Sequence, residues 1–232
     1  MIRKWMRGLT ALALALPLLA TAPAAHATGA QPTAPVVPSV RTALPLSDAI
    51  DRIPVAEEHR EGYKRDLYKH WNRGLIPSDG CDTRKEVILS EALVAPVAAP
   101  GCKLTGGSWR SAYDGAVITD AARIDVDHFV PLAEVYDSEP APWSAARREA
   151  YANDQGSPDT LIAVSAASNR AKSDRDPAEW LPSEGSYHCT YAATWVGTKL
   201  RWDLAMDEAE RQALLGLAED CRATTVVYER AA

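Results

Sequence analysis

The chain has 232 residues, with 25 Lys and Arg against 31 Asp and Glu and a formal charge of −6. That length suits one domain and is tight for two. The acidity argues against the broad basic footprint of a protein that grips duplex nucleic acid, and no apolar run reaches the ~20 residues of a membrane-spanning helix.

Arg3, Lys4 and Arg7 precede an apolar stretch from Leu9 to Ala20, and Ala25-His26-Ala27 supplies the small-residue pattern of a secretory cleavage site. Residues 1–27 are therefore expected to be a signal peptide. The mature protein is expected to be secreted and extracellular, without stable membrane association. Residues 28–45 contain Pro32, Pro35, Pro38 and Pro45 with almost no charge, and read as an extended linker. Residues 46–232 remain as one domain. The cysteines Cys81, Cys102, Cys189 and Cys221 predict disulfides in an exported chain. The local pairing, Cys81 with Cys102 and Cys189 with Cys221, closes two loops, and no C-x-x-C spacing supports zinc.

Val55, His59, Tyr63, Leu67 and Trp71 recur at fours and predict a helix, with His59 and His70 as packing or solvated residues. Asp82 or Thr83 is placed to cap a helix leading into Val87-Ile88-Leu89. Thr105-Gly106-Gly107-Ser108 and Asp114-Gly115 mark turns between short strands, with Trp109, Tyr113, Val117 and Ile118 on the buried face. These strands are predicted to feed a small antiparallel sheet that ends in Ile124–Asp127. There Ile124 and Val126 alternate with Asp125 and Asp127, so the carboxylates share one face. Pro131 starts a short helix at Leu132, residues 142–153 form another, and Leu161–Val164 is a short strand. Ser165 or Ser168 caps a helix carrying Asn169 and Lys172. Two further helices are expected near 187–204 and 207–221, and Trp143, Trp180 and Trp195 are expected in the core.

Side chains with useful chemistry at neutral pH crowd into residues 120–182. Asp127-His128 ends a short strand, and Asn169 follows in the run Ser168-Asn169-Arg170-Ala171-Lys172-Ser173-Asp174. Phosphodiester cleavage needs a nucleophile, neutralisation of the phosphoryl oxygens and help for the departing oxygen. His128 can take a proton from water, since its ordinary pKa of about 6.5 leaves the neutral form available. Asp127 and Asn169 offer the oxygen ligands that Mg²⁺ or Mn²⁺ prefers. Arg170 and Lys172 can position phosphate.

The stretches VDHFVPLAE and LIAVSAASNRAKSDRDPAEWLP resemble the HNH branch of the His-Me finger (ββα-metal) nucleases, and more closely a group of secreted actinobacterial HNH-type proteins. They are also similar to the HNH domain of RNA-guided CRISPR effector nucleases. The resemblance implies an α+β fold in which a ββα-metal core carries flanking helices. It implies Asp127 and Asn169 as metal ligands and His128 as general base. The middle Asn of the HNH pattern falls at Thr160, so Thr160 or Asp159 is expected to orient the base instead. The expected activity is metal-dependent endonucleolysis of low sequence specificity, on DNA in preference to RNA. Two other readings remain open: a secreted non-catalytic binding or structural domain on a nuclease scaffold, and an exported nuclease toxin with a cognate inhibitor protein.

Overall fold

The computed structural model describes residues 40–231. The expected signal peptide and residues 28–39 of the expected linker lie outside them. Within the described residues the elements run β1 (Thr42–Pro45), α1 (Leu46–Ile50), α2 (Thr83–Ser90), β2 (Val97–Ala99), β3 (Lys103–Thr105), β4 (Trp109–Arg110), β5 (Val117–Ile118) and β6 (Ile124–His128). They continue with α3 (Leu132–Asp137), α4 (Ala145–Ala152), β7 (Leu161–Ser165), α5 (Ala166–Lys172), α6 (His188–Arg201), α7 (Glu208–Asp220) and β8 (Thr225–Tyr228). This is an α+β fold whose strands form antiparallel pairs: β1 with β8, β2 with β3, β4 with β5, and β6 with β7.

Local sequence explains most of these boundaries. Asp82, Ser144, Ser165 and Asp207 each accept a backbone N–H at the start of α2, α4, α5 and α7, which satisfies donors a helix leaves open. Both expected disulfides are present, Cys81 to Cys102 and Cys189 to Cys221. Loops of this size give about 3 to 4 kcal/mol each on a chain-entropy estimate.

The antiparallel β6–β7 pair separates two cores. Ile124, Val126, Leu161 and Ala163 pack with Val87, Ile88 and Trp109 on the α2 side. Val164 and Ile162 join the larger core around Trp195, Tyr191 and Phe129 on the other. Trp143 and Trp195 are buried, as expected. Since α5 follows β7 directly and packs on β6, these three elements form a β, β, α unit in space, with α3 and α4 inserted between its two strands.

Four expectations change, the first being Val117, expected on the buried face but exposed on β5. Thr42–Pro45 is not linker: it is β1, paired with the unforeseen β8, because Val226 of that strand needs a buried partner surface. The fourfold stripe from Val55 to Trp71 is not a helix. That segment is an extended strap with one 3₁₀ turn at Arg65–Leu67. Gly62 breaks it at φ 86°, and its backbone bonds elsewhere, Ala56 N–H to Met206 O and Glu61 O to the Tyr136 hydroxyl. Finally, β4 and β5 do not extend into β6, whose partner is β7 across a long connection.

Candidate active site

His128 ends β6 opposite Leu161, and 4% of its surface is exposed. Its ring lies against Trp71 on the strap, with centroids 5.2 Å apart and planes 26° from parallel, and Tyr151 of α4 stands 6.1 Å away. His70 meets it edge-on at 6.1 Å. Trp71 holds this place with φ 61°, a left-handed conformation rare for a bulky side chain. The ring Nε2 is 3.0 Å from the Ala152 carbonyl at the end of α4, an acceptor that fixes the Nε2–H tautomer. Burial pushes the His128 pKa down to about 3, so the imidazole is neutral at physiological pH. A neutral ring donating one N–H to a carbonyl has its other nitrogen as an acceptor, but so low a pKa leaves that nitrogen a weak base while the ring stays buried under Trp71.

The other face of β6 is acidic and meets α5. Asn169 Nδ2 is 3.3 Å from Asp125 Oδ2, and one turn later Lys172 Nζ is 2.7 Å from Asp127 Oδ2. The Tyr113 hydroxyl also donates to Asp127 Oδ2, at 2.8 Å. Burial pushes Asp127 up and Lys172 down, and in each case the partner's charge is the largest opposing influence.

Not every expected residue falls where the motif implied. Lys172 is not a surface phosphate ligand: it is fully buried, donating to Asp127 and to the His128 carbonyl. Burial beside Asp127 keeps it from a polymeric substrate. Arg170 is exposed and free to meet phosphate. Neither Asp159 nor Thr160 bonds the His128 ring. Thr160 instead donates to Asp154 Oδ2 at 2.7 Å, and Asp154 also binds Arg201 and Trp202 Nε1. That network anchors the turn that follows Ala152, the last residue of α4. Ala152, Trp71 and Tyr151 carried no signal in the sequence as site residues, because a backbone carbonyl and a stacking ring have no motif.

The fit to a hard cation turns on which oxygens are open. Asp127 Oδ2 already accepts from an ammonium and a hydroxyl. The Asn169 amide faces a partly exposed carboxylate, and a half-turn of that amide presents its oxygen in place of its nitrogen. Asp125 and Asn169 therefore form an oxygen pair suited to Mg²⁺ or Mn²⁺, with Asp127 beside them on the same face.

Residues 102–217, half of the chain, match the family of GmrSD restriction endonucleases, C-terminal domain. The matched span holds β6, β7 and α5. The chain belongs to this family. It is also 38% identical over 190 residues, 82% of this chain and 90% of the relative, to an uncharacterized secreted protein of Arthroderma benhamiae (strain ATCC MYA-4681 / CBS 112371). No solved structure matches. Family membership makes this a nuclease-type domain. Neither match names a CRISPR effector or an actinobacterial protein.

Proposed function

We propose that the protein is a secreted, metal-dependent endonuclease of HNH type that hydrolyses phosphodiester bonds of nucleic acid with low sequence specificity, DNA in preference to RNA. The observation that carries this reading is the β6–β7–α5 unit of a restriction-endonuclease family, with Asp125, Asp127 and Asn169 together on one face and neutral His128 at the strand end. Its Nδ1 would accept the proton of the attacking water, and Nε2–H would stay on the Ala152 carbonyl so that the ring does not turn away. Asn169 and Asp127, with Asp125, would hold Mg²⁺ or Mn²⁺, which when bound supplies charge neutralisation at the phosphoryl group. Arg170 would take a phosphate oxygen through its planar fork. Lys172 holds Asp127 in place and opposes the upward push of burial on its carboxyl.

Export is supported by the leader pattern and by the secreted relative. A domain organisation of signal peptide, linker and a single nuclease domain is part of the same proposal. The competing reading, a non-catalytic binding domain, draws support from the cover Trp71 places over His128. Incubating the oxidised mature chain with supercoiled plasmid, Mg²⁺ or Mn²⁺, with and without EDTA, separates them. Nicking that EDTA abolishes supports the nuclease; no nicking under any divalent ion supports the binding domain.

A further inference from the structure

A second gathering of carboxylates shares no residue with β6 or α5. Glu58, on the strap, is common to two groups whose ligand oxygens lie within 4.8 Å of one another: Glu58 with Asp176, Asp207 and Glu210, and Glu58 with Glu134 and Asp137. The strap, α3, the turn after α5 and the start of α7 each contribute. Two cations serve six acids here. Lys199, fully buried, reaches Glu134 Oε1 at 2.8 Å and Glu210 Oε2 at 2.5 Å, and Arg60 Nε reaches Asp137 Oδ2 at 2.5 Å.

Charge imbalance alone describes many acidic patches. What distinguishes this one is Asp137 Oδ1. Asp137 is 4% exposed, and that oxygen is buried with no hydrogen-bond partner. A buried carboxylate oxygen left without a donor costs about 1 to 3 kcal/mol or more, so folding an unpaired one in needs compensation. The Tyr191 hydroxyl is also buried and unpartnered.

We propose that this cluster binds a hard divalent cation of the Ca²⁺ class, with Glu58 as the shared ligand and Asp137 Oδ1 among the donors. The candidate ligands are all carboxylate oxygens, which excludes the nitrogen and sulfur preference of zinc. Ca²⁺ accepts six to eight such oxygens in flexible geometry, whereas Mg²⁺ demands a near-ideal octahedron. The ion would tie the strap to α3 and α7, and the affinity expected of an extracellular module is on the order of 10⁻⁴ to 10⁻³ M. The role is structural and independent of the proposed nuclease site.

The test uses the oxidised mature protein stripped with EDTA, followed by thermal unfolding against CaCl₂ and by Tb³⁺ luminescence. Trp195, whose Nε1 donates to Glu210, serves as the antenna. The melting temperature should rise and saturate at millimolar Ca²⁺, and Tb³⁺ emission should appear and be quenched by Ca²⁺. Glu58→Gln and Asp137→Asn should each weaken both responses by about tenfold or more. Asn169→Ala should leave the part of both responses that Glu58→Gln removes unchanged, since it acts at the nuclease site. Should Asp137→Asn fail to fold, Asp176→Asn replaces it. No Ca²⁺ response in the wild type, or an undiminished response in Glu58→Gln, overturns the proposal. Loss of the Glu58-dependent response in Asn169→Ala overturns its independence from the nuclease site.

Discussion

Lys172 Nζ lies 2.7 Å from Asp127 Oδ2 with its side chain fully buried, so the run that looks most like a phosphate clamp faces inward on a carboxylate. Removing one member of such a pair leaves a bare charge in the core. Lys172→Met should cost about 3 to 5 kcal/mol in urea unfolding, and Lys172→Met with Asp127→Leu should recover most of that loss. Comparable stability of wild type and Lys172→Met would show the pair to be dispensable.

Thr160→Val keeps shape and deletes the hydroxyl that donates to Asp154. Unfolding free energy should fall by about 1 to 3 kcal/mol, and Thr160→Ser should restore it. Because Asp154 anchors the turn that follows Ala152, Thr160→Val should also lower nicking kcat more than it raises KM. A kcat unchanged in Thr160→Val would remove the link from Asp154 to the base.

His128 gives stability a pH dependence of known sign. Its pKa is about 3 when folded against 6.5 unfolded, so below 6.5 the unfolded chain binds the extra proton. The stability due to the neutral ring is complete above 6.5 and declines as pH falls toward 3. The difference in unfolding free energy between wild type and His128→Asn should therefore shrink between pH 6.5 and 4. A pH-independent difference would mean that the ring titrates alike in both states.

Trp71 stacks on one face of the ring. Trp71→Ala should move the His128 pKa upward from about 3 toward 6.5, as read from its ring proton shifts by NMR. No upward movement would assign the burial to Tyr151 and the β6–β7 pair instead.

Much of this could be read from the residues. Short-range signals held: Asp82 and Ser165 cap helices, Ile124 and Val126 alternate with acids, and the cysteines pair locally. Long-range pairings did not announce themselves. Val55 to Trp71 has a helical period, yet Gly62 and bonds to Met206 and Tyr136 keep it extended, and only that path lays Trp71 on His128. Lys172 beside Asn169 and Arg170 reads as substrate-facing, but three residues along a helix carry it to the buried acid on β6. Thr160 was recognisable as a replacement position; its partner Asp154, bound also by Arg201 and Trp202, was not.

The most direct test of the central claim is plasmid nicking in Mg²⁺ or Mn²⁺ beside a calorimetric Mn²⁺ titration, for wild type, His128→Ala, Asp127→Ala and Asn169→Ala. If His128 is the base, His128→Ala should lose about 10²- to 10⁴-fold in cleavage with Mn²⁺ binding largely kept. Asn169→Ala and Asp127→Ala should lose cleavage and Mn²⁺ affinity together. Equal cleavage by all four proteins would place the chemistry elsewhere, and loss of Mn²⁺ binding in His128→Ala alone would make the imidazole a ligand and contradict its role as base.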